Sequence, residues 1–367
     1  MKKIAILTIV DNINYGTYLQ AFATYKTFVD RGWDTEIVNY IRPYLSSKQF
    51  AVNYLHNKKM HVVKRLVYAF FYILLDPLMK ANLKRFIKNR AKLSKKYRSI
   101  SDFEKYSPIA DVYLTGSDQV WNNSHNHGLD IAFFWPFVNG NIYSYAASIG
   151  LMKFKNEEEE TVTKLLSRYK SIAVRESYGV EAIKKLGIAN VTQVLDPTLL
   201  ITGEEWKKIA GDCIIKTEPY LLVYTVEIGR KDFVVEQAQE IAKKRGLKVY
   251  VVCPTYKFKK DFNADKVFNF AKVELFLSLF AQADFVVVSS FHGTAFAINF
   301  NKQFVTISPA EFSSRVNSLL NLVGLKERYI KDDIVKSEDL KEIDYEPINK
   351  ILAEERIHSF KYIDKIS

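Results

Sequence analysis

Apolar and polar positions alternate in blocks along the chain, and these blocks predict short buried strands separated by helices. Residues 4–9 form a continuous apolar run, and residues 16–31 carry apolar side chains at helical spacing as far as Gly32. Further strands are predicted at 35–38, 109–114, 142–146, 171–174 and 191–195, with helices at 157–169 and 177–186. This alternation indicates a parallel α/β sheet.

A second series of strands and helices follows Trp206. It predicts strands at 220–225, 248–253, 284–288 and 303–307, and helices at 232–245, 273–282, 294–300 and 313–323. We therefore predict two doubly wound, Rossmann-like α/β domains, residues 1–200 and 201–345, with the boundary near 197–215. A last helix within residues 346–367 is expected to pack back on the first domain. Loops at the carboxyl ends of both sheets would surround one cleft, where ligands bind.

A basic helical insertion, residues 51–105, interrupts the first series. Residues 51–100 hold thirteen Lys or Arg residues and one acid, Asp76, so this segment accounts for the net charge of +12. The apolar run at 66–75 is too short to span a bilayer. Docking on an anionic membrane surface and an ordinary helical hairpin broken at Asp76-Pro77 both explain the pattern. The aromatic residues are not interleaved with the charges, so we predict no nucleic-acid binding.

The capping-box sequence at 101–104 is expected to mark the end of this insertion.

Composition adds few constraints. The first apolar run stops at Asp11 without a cleavage site, which favours a strand over a leader peptide. Cys213 and Cys253 lie too far apart for a metal motif and are too few for a disulfide scaffold. We therefore expect a cytoplasmic protein that uses neither a metal nor a cofactor.

The segment after the strand at 285–288 carries the clearest chemical signal. It passes through Ser289, Ser290, His292 and Gly293 into a helix that contains Thr294. Free N–H groups at a helix start, together with the helix dipole, can bind an anion. His292 would donate a hydrogen bond or a proton there. A purely structural histidine is the alternative, but its place beside Gly293 at a helix start favours function.

The sequence Ser-Phe-His-Gly-Thr-Ala-Phe at 290–296 resembles the C-terminal signature of the polysaccharide pyruvyl transferase family. Segments 14–21, 111–122, 145–150, 174–177, 195–198, 314–315 and 324–328 also match the family, in the same order. The resemblance covers residues 1 to about 330 apart from the insertion. It implies transfer of pyruvate from phosphoenolpyruvate to a sugar as a cyclic ketal, on a fold similar to the GT-B glycosyltransferases.

The resemblance also implies a donor site. Phosphoenolpyruvate carries a carboxylate and a phosphate, and we expect Arg175 to bind one of them while His292 supports the phosphate or acts as general acid. Better-studied members of the family carry an arginine two places before the histidine, where this chain, like many others that resemble the family, has Ser290. Arg315 could replace that cation, or it could be a surface arginine at a helix start. Donor-binding positions are thus Arg175, Ser289, Ser290, His292, Gly293, Thr294 and Arg315.

Two other loops are candidates for binding the acceptor. They supply Asn14, Tyr15, Gly16, Gly116, Ser117, Asp118, Trp121 and Asn122. We predict Trp121 as a platform for a sugar ring and Asp118 as either a general base or a loop cap. Asp196 is expected to cap a turn at the domain junction, and His125 and His127 are expected to be exposed.

The leading hypothesis is a pyruvyl transferase that modifies a saccharide of capsule, exopolysaccharide or cell wall. A lipid-linked acceptor would give the basic insertion a reason to contact the inner face of the membrane. The first alternative is a nucleotide-sugar glycosyltransferase of the same fold, for which Glu311 is the one acid placed to bind a ribose. The second is a non-catalytic protein that keeps the fold.

Overall fold

The N-terminal sheet consists of parallel strands that follow one another through helical crossovers. The computed structural model describes residues 1–45, 61–213, 215, 218–226, 230–257, 259–309 and 313–367. The predicted residues 51–60 of the insertion and Glu311 lie outside these ranges. The strands are β1 (Lys3–Leu7), β2 (Asp34–Tyr40), β3 (Leu93–Tyr97), β4 (Val112–Thr115), β5 (Asn141–Ser144), β6 (Tyr169–Val174) and β7 (Val191–Gln193). Their order in the sheet is β3-β2-β1-β4-β5-β6-β7.

Helices cover both faces of this sheet, as parallel sheets require. They are α1 (Tyr15–Val29), α2 (Val62–Arg90), α3 (Ile100–Lys105), α4 (Glu159–Leu166) and α5 (Ser177–Lys185). The strand order reverses between β1 and β4. Loops at the carboxyl ends of these two strands therefore diverge and leave a crevice.

The second sheet repeats this design. Its strands are β8 (Tyr220–Tyr224), β9 (Lys248–Cys253), β10 (Lys266–Asn269), β11 (Phe285–Val288), β12 (Gln303–Ile307) and β13 (Tyr329–Ile330), in the order β10-β9-β8-β11-β12-β13. The helices of this half and of the junction are α6 (Pro197–Leu200), α7 (Gly203–Ala210), α8 (Lys231–Arg245), α9 (Val273–Gln282), α10 (Phe291–Asn299), α11 (Ser313–Leu322) and α12 (Tyr345–Ile363). The fold is thus two doubly wound domains, as predicted.

The insertion differs from its prediction in three ways. Helix α2 continues through Pro77, so the predicted hairpin broken at that position is wrong. Leu83, Phe86 and Ile87 of this helix are buried in the main core, and tertiary packing of this kind outweighs the one backbone hydrogen bond that a proline removes. In addition, the segment is not wholly helical, because β3 pairs in parallel with β2.

The third difference is the helix cap. Ser99, rather than Ser101, caps α3 by accepting a hydrogen bond from the Asp102 amide at 3.1 Å. Strand β3 was missed because its central residues are polar and basic, a composition typical of protected edge strands. The short strands β10 and β13, which were also missed, lie at the two edges of the second sheet.

The last helix, α12, contacts both domains. Near its start, the Tyr345 hydroxyl donates to the Lys302 carbonyl of the second domain at 2.5 Å. Near its end, the Tyr362 hydroxyl donates to the Ser144 carbonyl at 2.9 Å, and the Ser359 hydroxyl accepts from the Leu195 amide at 3.0 Å. The helix therefore crosses from the second domain to the first.

Helix α2 also reaches both domains. The Asn82 side chain donates to the Phe270 carbonyl at 2.5 Å, and Arg90 forms a 2.9 Å ion pair with Glu274 of α9. In the part of the chain that the structure describes, no helix is both long enough and apolar enough to cross a membrane.

Candidate active site

A buried arginine between two carboxylates organises the cleft side of the first domain. Arg175 directly follows β6, and its Nη1 donates to Asp196 Oδ2 at 2.8 Å while its Nε donates to Glu176 Oε1 at 2.9 Å. All three side chains are inaccessible to solvent. Burial lowers the pKa of the Arg175 guanidinium, but the carboxylates of Glu176 and Asp196 outweigh it and the net pKa is raised.

Asp196 joins several loops at one carboxylate. It caps α6, because its Oδ1 accepts hydrogen bonds from the Thr198 amide at 2.9 Å and from the Thr198 hydroxyl at 2.6 Å. The predicted turn cap is therefore confirmed. Its Oδ2 accepts from Arg175 and also from the Ser117 hydroxyl, at 3.1 Å, so the loops after β4 and β6 meet here.

The second domain contributes His292 to the same carboxylate. His292 is the second residue of α10, and its Nε2 lies 3.6 Å from Asp196 Oδ2, just beyond hydrogen-bonding distance. Burial raises the pKa of Asp196, but the neighbouring His292 and Arg175 outweigh burial and lower it well below its usual range. Asp196 is thus ionised at neutral pH and faces cationic or donor groups from both domains.

Three polar atoms around this pair are buried and have no hydrogen-bond partner among the described residues. They are Nη2 of Arg175, Oε2 of Glu176 and Nε2 of His292. Leaving a buried polar group unpaired costs about 1–3 kcal/mol, so such groups usually pair with a ligand, an ion or an ordered water. The two nitrogens could donate hydrogen bonds to an anion. The carboxylate oxygen could accept one from a hydroxyl group on that anion or on a neighbouring ligand.

Asp118 and Arg315 belong to the same electrostatic cluster. Asp118 has a φ of 73°, in the left-handed region that non-glycine residues rarely adopt, and such strain occurs preferentially at functional sites. Its Oδ2 accepts from the Thr17 hydroxyl at 3.0 Å and its Oδ1 from the Gln119 amide at 2.9 Å. The carboxylate therefore caps its own loop, which is one of the two roles predicted for it.

Charges set the ionisation of this cluster. Burial raises the pKa of Asp118, but His292 and then Arg175 outweigh it and lower the net pKa, so the side chain is a carboxylate at neutral pH. Arg315 is partly buried at the start of α11. Burial and then the charge of Arg175 lower its pKa, while Asp118 opposes the change. The structure thus brings Arg315 close to Arg175 and Asp118, both predicted site residues.

The hydroxyl groups of the predicted donor loop are used within the second domain. Ser290 caps α10 by accepting from the Gly293 amide at 3.0 Å, so that N–H group is not free for an anion as predicted. The Thr294 hydroxyl donates to the Ser290 carbonyl at 2.9 Å, and Ser289 bonds to Thr225 at 2.6 Å. Gly293 is needed for packing, since a Cβ there would lie 2.9 Å from Val288.

The first predicted acceptor loop holds the two domains together. Asn14 Oδ1 accepts from the Tyr224 hydroxyl of the second domain at 3.1 Å and from the Gly16 amide at 2.8 Å. The Tyr15 hydroxyl donates to the Ala271 carbonyl at 2.8 Å, and its ring stacks on Phe276 at 4.3 Å. Asn14 Oδ1 and the Tyr15 hydroxyl, which were predicted to contact a saccharide, are thus engaged in protein contacts between the domains.

Gly16 touches the catalytic candidate directly. A Cβ at this position would lie 2.2 Å from the His292 ring, so only glycine allows the two domains to approach as they do.

The central loop is more buried than the sequence suggested. Trp121 is 1% exposed and stacks on Phe134 with ring centroids 5.5 Å apart, which corrects the prediction of a sugar platform. Asn122 is fully buried and bonds to Gln119 and the Ser124 amide at 2.7 and 3.0 Å. Gly116 packs against Thr8, where a Cβ would lie 2.7 Å away. Within this loop, Ser117 and Asp118 remain with the cluster.

A second buried ion pair was missed. Arg42, after β2, is fully buried and donates from Nη2 to Asp11 Oδ1 at 2.7 Å and from Nη1 to Asn126 Oδ1 at 2.8 Å. The sequence could have predicted this pair, because Asp11 and Arg42 follow adjacent parallel strands and therefore lie at the same edge of the sheet. His125, predicted to be exposed, is partly buried beside them, and burial followed by the charge of Arg42 lowers its pKa to about 4.

Metal ligands do not cluster here. Over the described ranges, no group of three or more His, Cys, Asp or Glu side chains is placed to hold a metal ion.

The chain is similar in sequence to one protein family and in fold to solved structures of other proteins. The family model for polysaccharide pyruvyl transferase matches residues 14–311. No curated protein matches the sequence. A structure of UDP-GlcNAc 2-epimerase from Methanocaldococcus jannaschii, in complex with UDP-GlcNAc and UDP, superposes with a TM-score of 0.52 at 14% identity, covering 97% of this chain and 94% of that chain.

Two further structures are similar over comparable lengths. UDP-GlcNAc 2-epimerase from Neisseria meningitidis gives a TM-score of 0.49 at 9% identity, covering 100% of both chains. A glycosyltransferase from Rickettsia africae gives 0.47 at 12% identity, covering 100% of this chain and 94% of that chain. Similarity at this level of identity concerns the fold alone, and the fold is the GT-B arrangement of two Rossmann-like domains.

The contact between Gly16 and His292 can be tested by substitution. Gly16→Ala should lower the free energy of unfolding by about 1–3 kcal/mol, because the new methyl group overlaps the His292 ring. The double variant Gly16→Ala/His292→Ala should recover most of that loss. Gly179→Ala is the matched control, since its Cβ would lie 3.4 Å from Val174, an ordinary contact. A Gly16→Ala protein as stable as wild type in urea unfolding would contradict the contact.

The charge of Asp196 predicts a dependence on pH. Because its folded pKa is lowered, its contribution to stability is complete above the unfolded value of about 3.9 and is lost as pH falls below that value. Asp196→Asn should therefore reduce the unfolding free energy by about 3–5 kcal/mol at pH 7, and the difference from wild type should shrink between pH 5 and 2. Denaturant unfolding at each pH measures this.

The exposed carboxylate of Asp232 supplies the control for that experiment. Asp232→Asn should change stability by less than about 0.5 kcal/mol at every pH. A difference between Asp196→Asn and wild type that stays constant with pH would show that ionisation of Asp196 does not stabilise the fold.

Proposed function

The chain belongs to the polysaccharide pyruvyl transferase family, and we propose that it transfers pyruvate from phosphoenolpyruvate to a saccharide of a surface polysaccharide. One observation carries the proposal. Arg175 of the first domain and His292 of the second converge on Asp196, and each keeps a buried nitrogen that has no hydrogen-bond partner among the described residues. A dianionic donor with a carboxylate and a phosphate would supply acceptors for both nitrogens.

The cluster suits the charge of this donor. Arg175 is held in place by Glu176 and Asp196, so it would bind an anion without losing side-chain freedom at that moment. Arg315 lies close enough to Arg175 to share its electrostatic environment. We assign Arg315 the role of the arginine that better-studied family members carry where this chain has Ser290, since Ser290 itself is occupied as a helix cap.

The reaction has two steps. A proton adds to the methylene carbon of phosphoenolpyruvate, and the oxygen of one saccharide hydroxyl bonds to the adjacent cationic carbon as its own proton is removed. A second hydroxyl then bonds to the same carbon while the carbon–oxygen bond to phosphate breaks. The products are the cyclic ketal and inorganic phosphate. The first hydroxyl proton balances the one added to the methylene carbon, and the second leaves on a base or on phosphate.

His292 and Asp118 would move these protons. His292 Nε2 has no hydrogen-bond partner in the described part of the chain and lies beside the proposed anion site, so it can donate a proton or stabilise the departing phosphate. Asp118 is an ionised, buried carboxylate whose pKa His292 and Arg175 lower against the effect of burial, and it can accept the proton of a sugar hydroxyl. The Thr17 hydroxyl fixes its orientation at 3.0 Å.

Donor binding is the direct test of this assignment. We expect phosphoenolpyruvate to raise the unfolding temperature more than inorganic phosphate does; at about 100 times its dissociation constant a ligand adds about 2.7 kcal/mol to stability. His292→Ala should weaken calorimetric binding of phosphoenolpyruvate by about 10–150-fold, the equivalent of about 1.5–3 kcal/mol for a hydrogen bond to a charged group. His61→Ala, at an exposed histidine before α2, is the control.

A panel of nucleotide sugars completes the experiment. Stabilisation by a nucleotide sugar, with none by phosphoenolpyruvate, would contradict the pyruvyl transferase proposal and support the glycosyltransferase alternative. Binding of phosphoenolpyruvate that His292→Ala leaves unchanged would contradict the role of the histidine.

We further propose that the acceptor is lipid-linked and that α2 lies on an anionic membrane surface. Val62, Leu66 and Phe70, which are spaced four residues apart, are each more than half exposed and share one face of the helix. Arg85 and Lys88 are exposed farther along the same helix, and residues 51–100 carry most of the basic excess. Other side chains of the apolar run at 66–75 lie outside the described ones.

Vesicle binding tests this surface. Reversing three charges, Lys84→Glu, Arg85→Glu and Lys88→Glu, should weaken co-sedimentation with vesicles containing phosphatidylglycerol by about 100-fold, at about 1 kcal/mol per basic residue. The matched control, Lys184→Glu, Lys208→Glu and Lys243→Glu, makes the same change in net charge at exposed lysines of other helices. Equal loss in both sets, or no binding by wild type, would remove the membrane from the proposal.

A further inference from the structure

The second domain contains a cavity that is separate from the cleft. It has a volume of about 660 Å³ and lies where residues 323–344 meet the first turns of α12. This is within the size range of small-molecule sites, about 300–1,000 Å³. Its apolar wall consists of Val323, Leu325, Val335, Leu340, Ile343, Pro347, Ile348 and Ile351.

Arg328 lines this cavity as a buried, incompletely paired cation. The residue is 2% exposed, and its Nη2 donates to the Lys341 carbonyl. Within the described ranges, its Nε and Nη1 have no hydrogen-bond partner, although Nε lies 3.6 Å from an oxygen of Glu327. Burial lowers the pKa of this guanidinium, and arginine nevertheless keeps its charge in proteins. A charged donor is thus left without an acceptor at the wall of an apolar cavity.

The acidic residues around the cavity restrict the charge of an occupant. Glu342 is paired with Arg245 at 2.9 Å, and Asp344 caps α12 by accepting from the Glu346 amide at 3.0 Å. Glu327 and Asp339 remain exposed at the edge of the cavity and outnumber Lys341, the exposed cation of its lining. Their charge disfavours a ligand with several negative charges, such as a diphosphate.

We propose that this cavity binds a small amphipathic monocarboxylate, whose carboxylate accepts a hydrogen bond from Arg328 Nη1 and whose apolar body packs against Leu325, Leu340 and Ile348. One negative charge satisfies the buried guanidinium without strong repulsion from the edge. The hydrocarbon body covers the apolar wall, where each buried methylene contributes about 0.8 kcal/mol. The site lies in the 324–328 segment, which the pyruvyl transfer chemistry does not use.

The position of the cavity couples it to both domains. Pro347, Ile348 and Ile351 belong to α12, which continues to Ser359 and Tyr362 on the first sheet. An occupant would therefore contact the helix that joins the two halves of the protein. It would not contact Arg175 or His292, so phosphoenolpyruvate should not compete for the cavity.

The probe for this site is octanoate, compared with octanol and octyltrimethylammonium, which share its chain and differ in headgroup. Calorimetry on the full chain should show octanoate binding at least tenfold more tightly than octanol and no binding of the cation. Saturating phosphoenolpyruvate should leave octanoate affinity unchanged. Equal affinity for octanoate and octanol, preference for the cation, competition by phosphoenolpyruvate, or no binding of octanoate would each overturn the proposal.

Two variants locate the binding. Ile351→Trp fills the cavity from α12 without altering Arg328 and should abolish octanoate binding, whereas Ile357→Trp, at an exposed position of the same helix, should leave it unchanged. Arg328→Gln should weaken octanoate at least tenfold and octanol little. If Arg328→Gln does not fold, Ile351→Trp and the headgroup series still decide the question, and octanoate binding that survives Ile351→Trp would overturn the proposal.

Discussion

The ion pair between Arg175 and Asp196 is the interaction on which the cleft depends. Burying either charge alone would be strongly unfavourable, and pairing them makes both tolerable only when further hydrogen bonds satisfy the remaining atoms. Asp196 accepts such bonds from Ser117 and Thr198, and Arg175 donates one to Glu176. Three loops of the first domain are fixed by this requirement, and the carboxylate that results is the one that His292 approaches from the second domain. The hydrogen bonds that stabilise this buried ion pair thus also determine where the proposed catalytic groups lie.

The protein uses buried polar contacts elsewhere to set the distance between its domains. Tyr15 and Asn14 bond across the cleft to Ala271 and Tyr224, while Gly16 lets the His292 ring pack against the backbone. These three consecutive residues therefore act as a spacer.

Much of this was accessible from sequence. Fully buried strands such as β8 and β11 can be recognised as continuous apolar runs. The parallel topology places Arg175 after β6, Asp196 after β7 and His292 after β11, at the carboxyl ends of these strands. The edge strands β3 and β13 could not be found this way, because β3 carries two lysines and β13 has two residues. The roles of Trp121, Asn14 and Tyr15 could not be predicted from the sequence either, because they depend on which side chains pack around them in the folded protein. Pro77 shows the same limit, because packing of Leu83 and Phe86 keeps α2 continuous.

The course of α12 has a mechanical consequence. The chain passes between the domains twice, once at α6 and α7 and once along α12, where Arg356 bonds to the Leu199 carbonyl at 2.7 Å and to Asn299. Two crossings that are bonded to each other tie the domains together at this junction more firmly than a single connecting segment would, because both must shift before the domains can move apart.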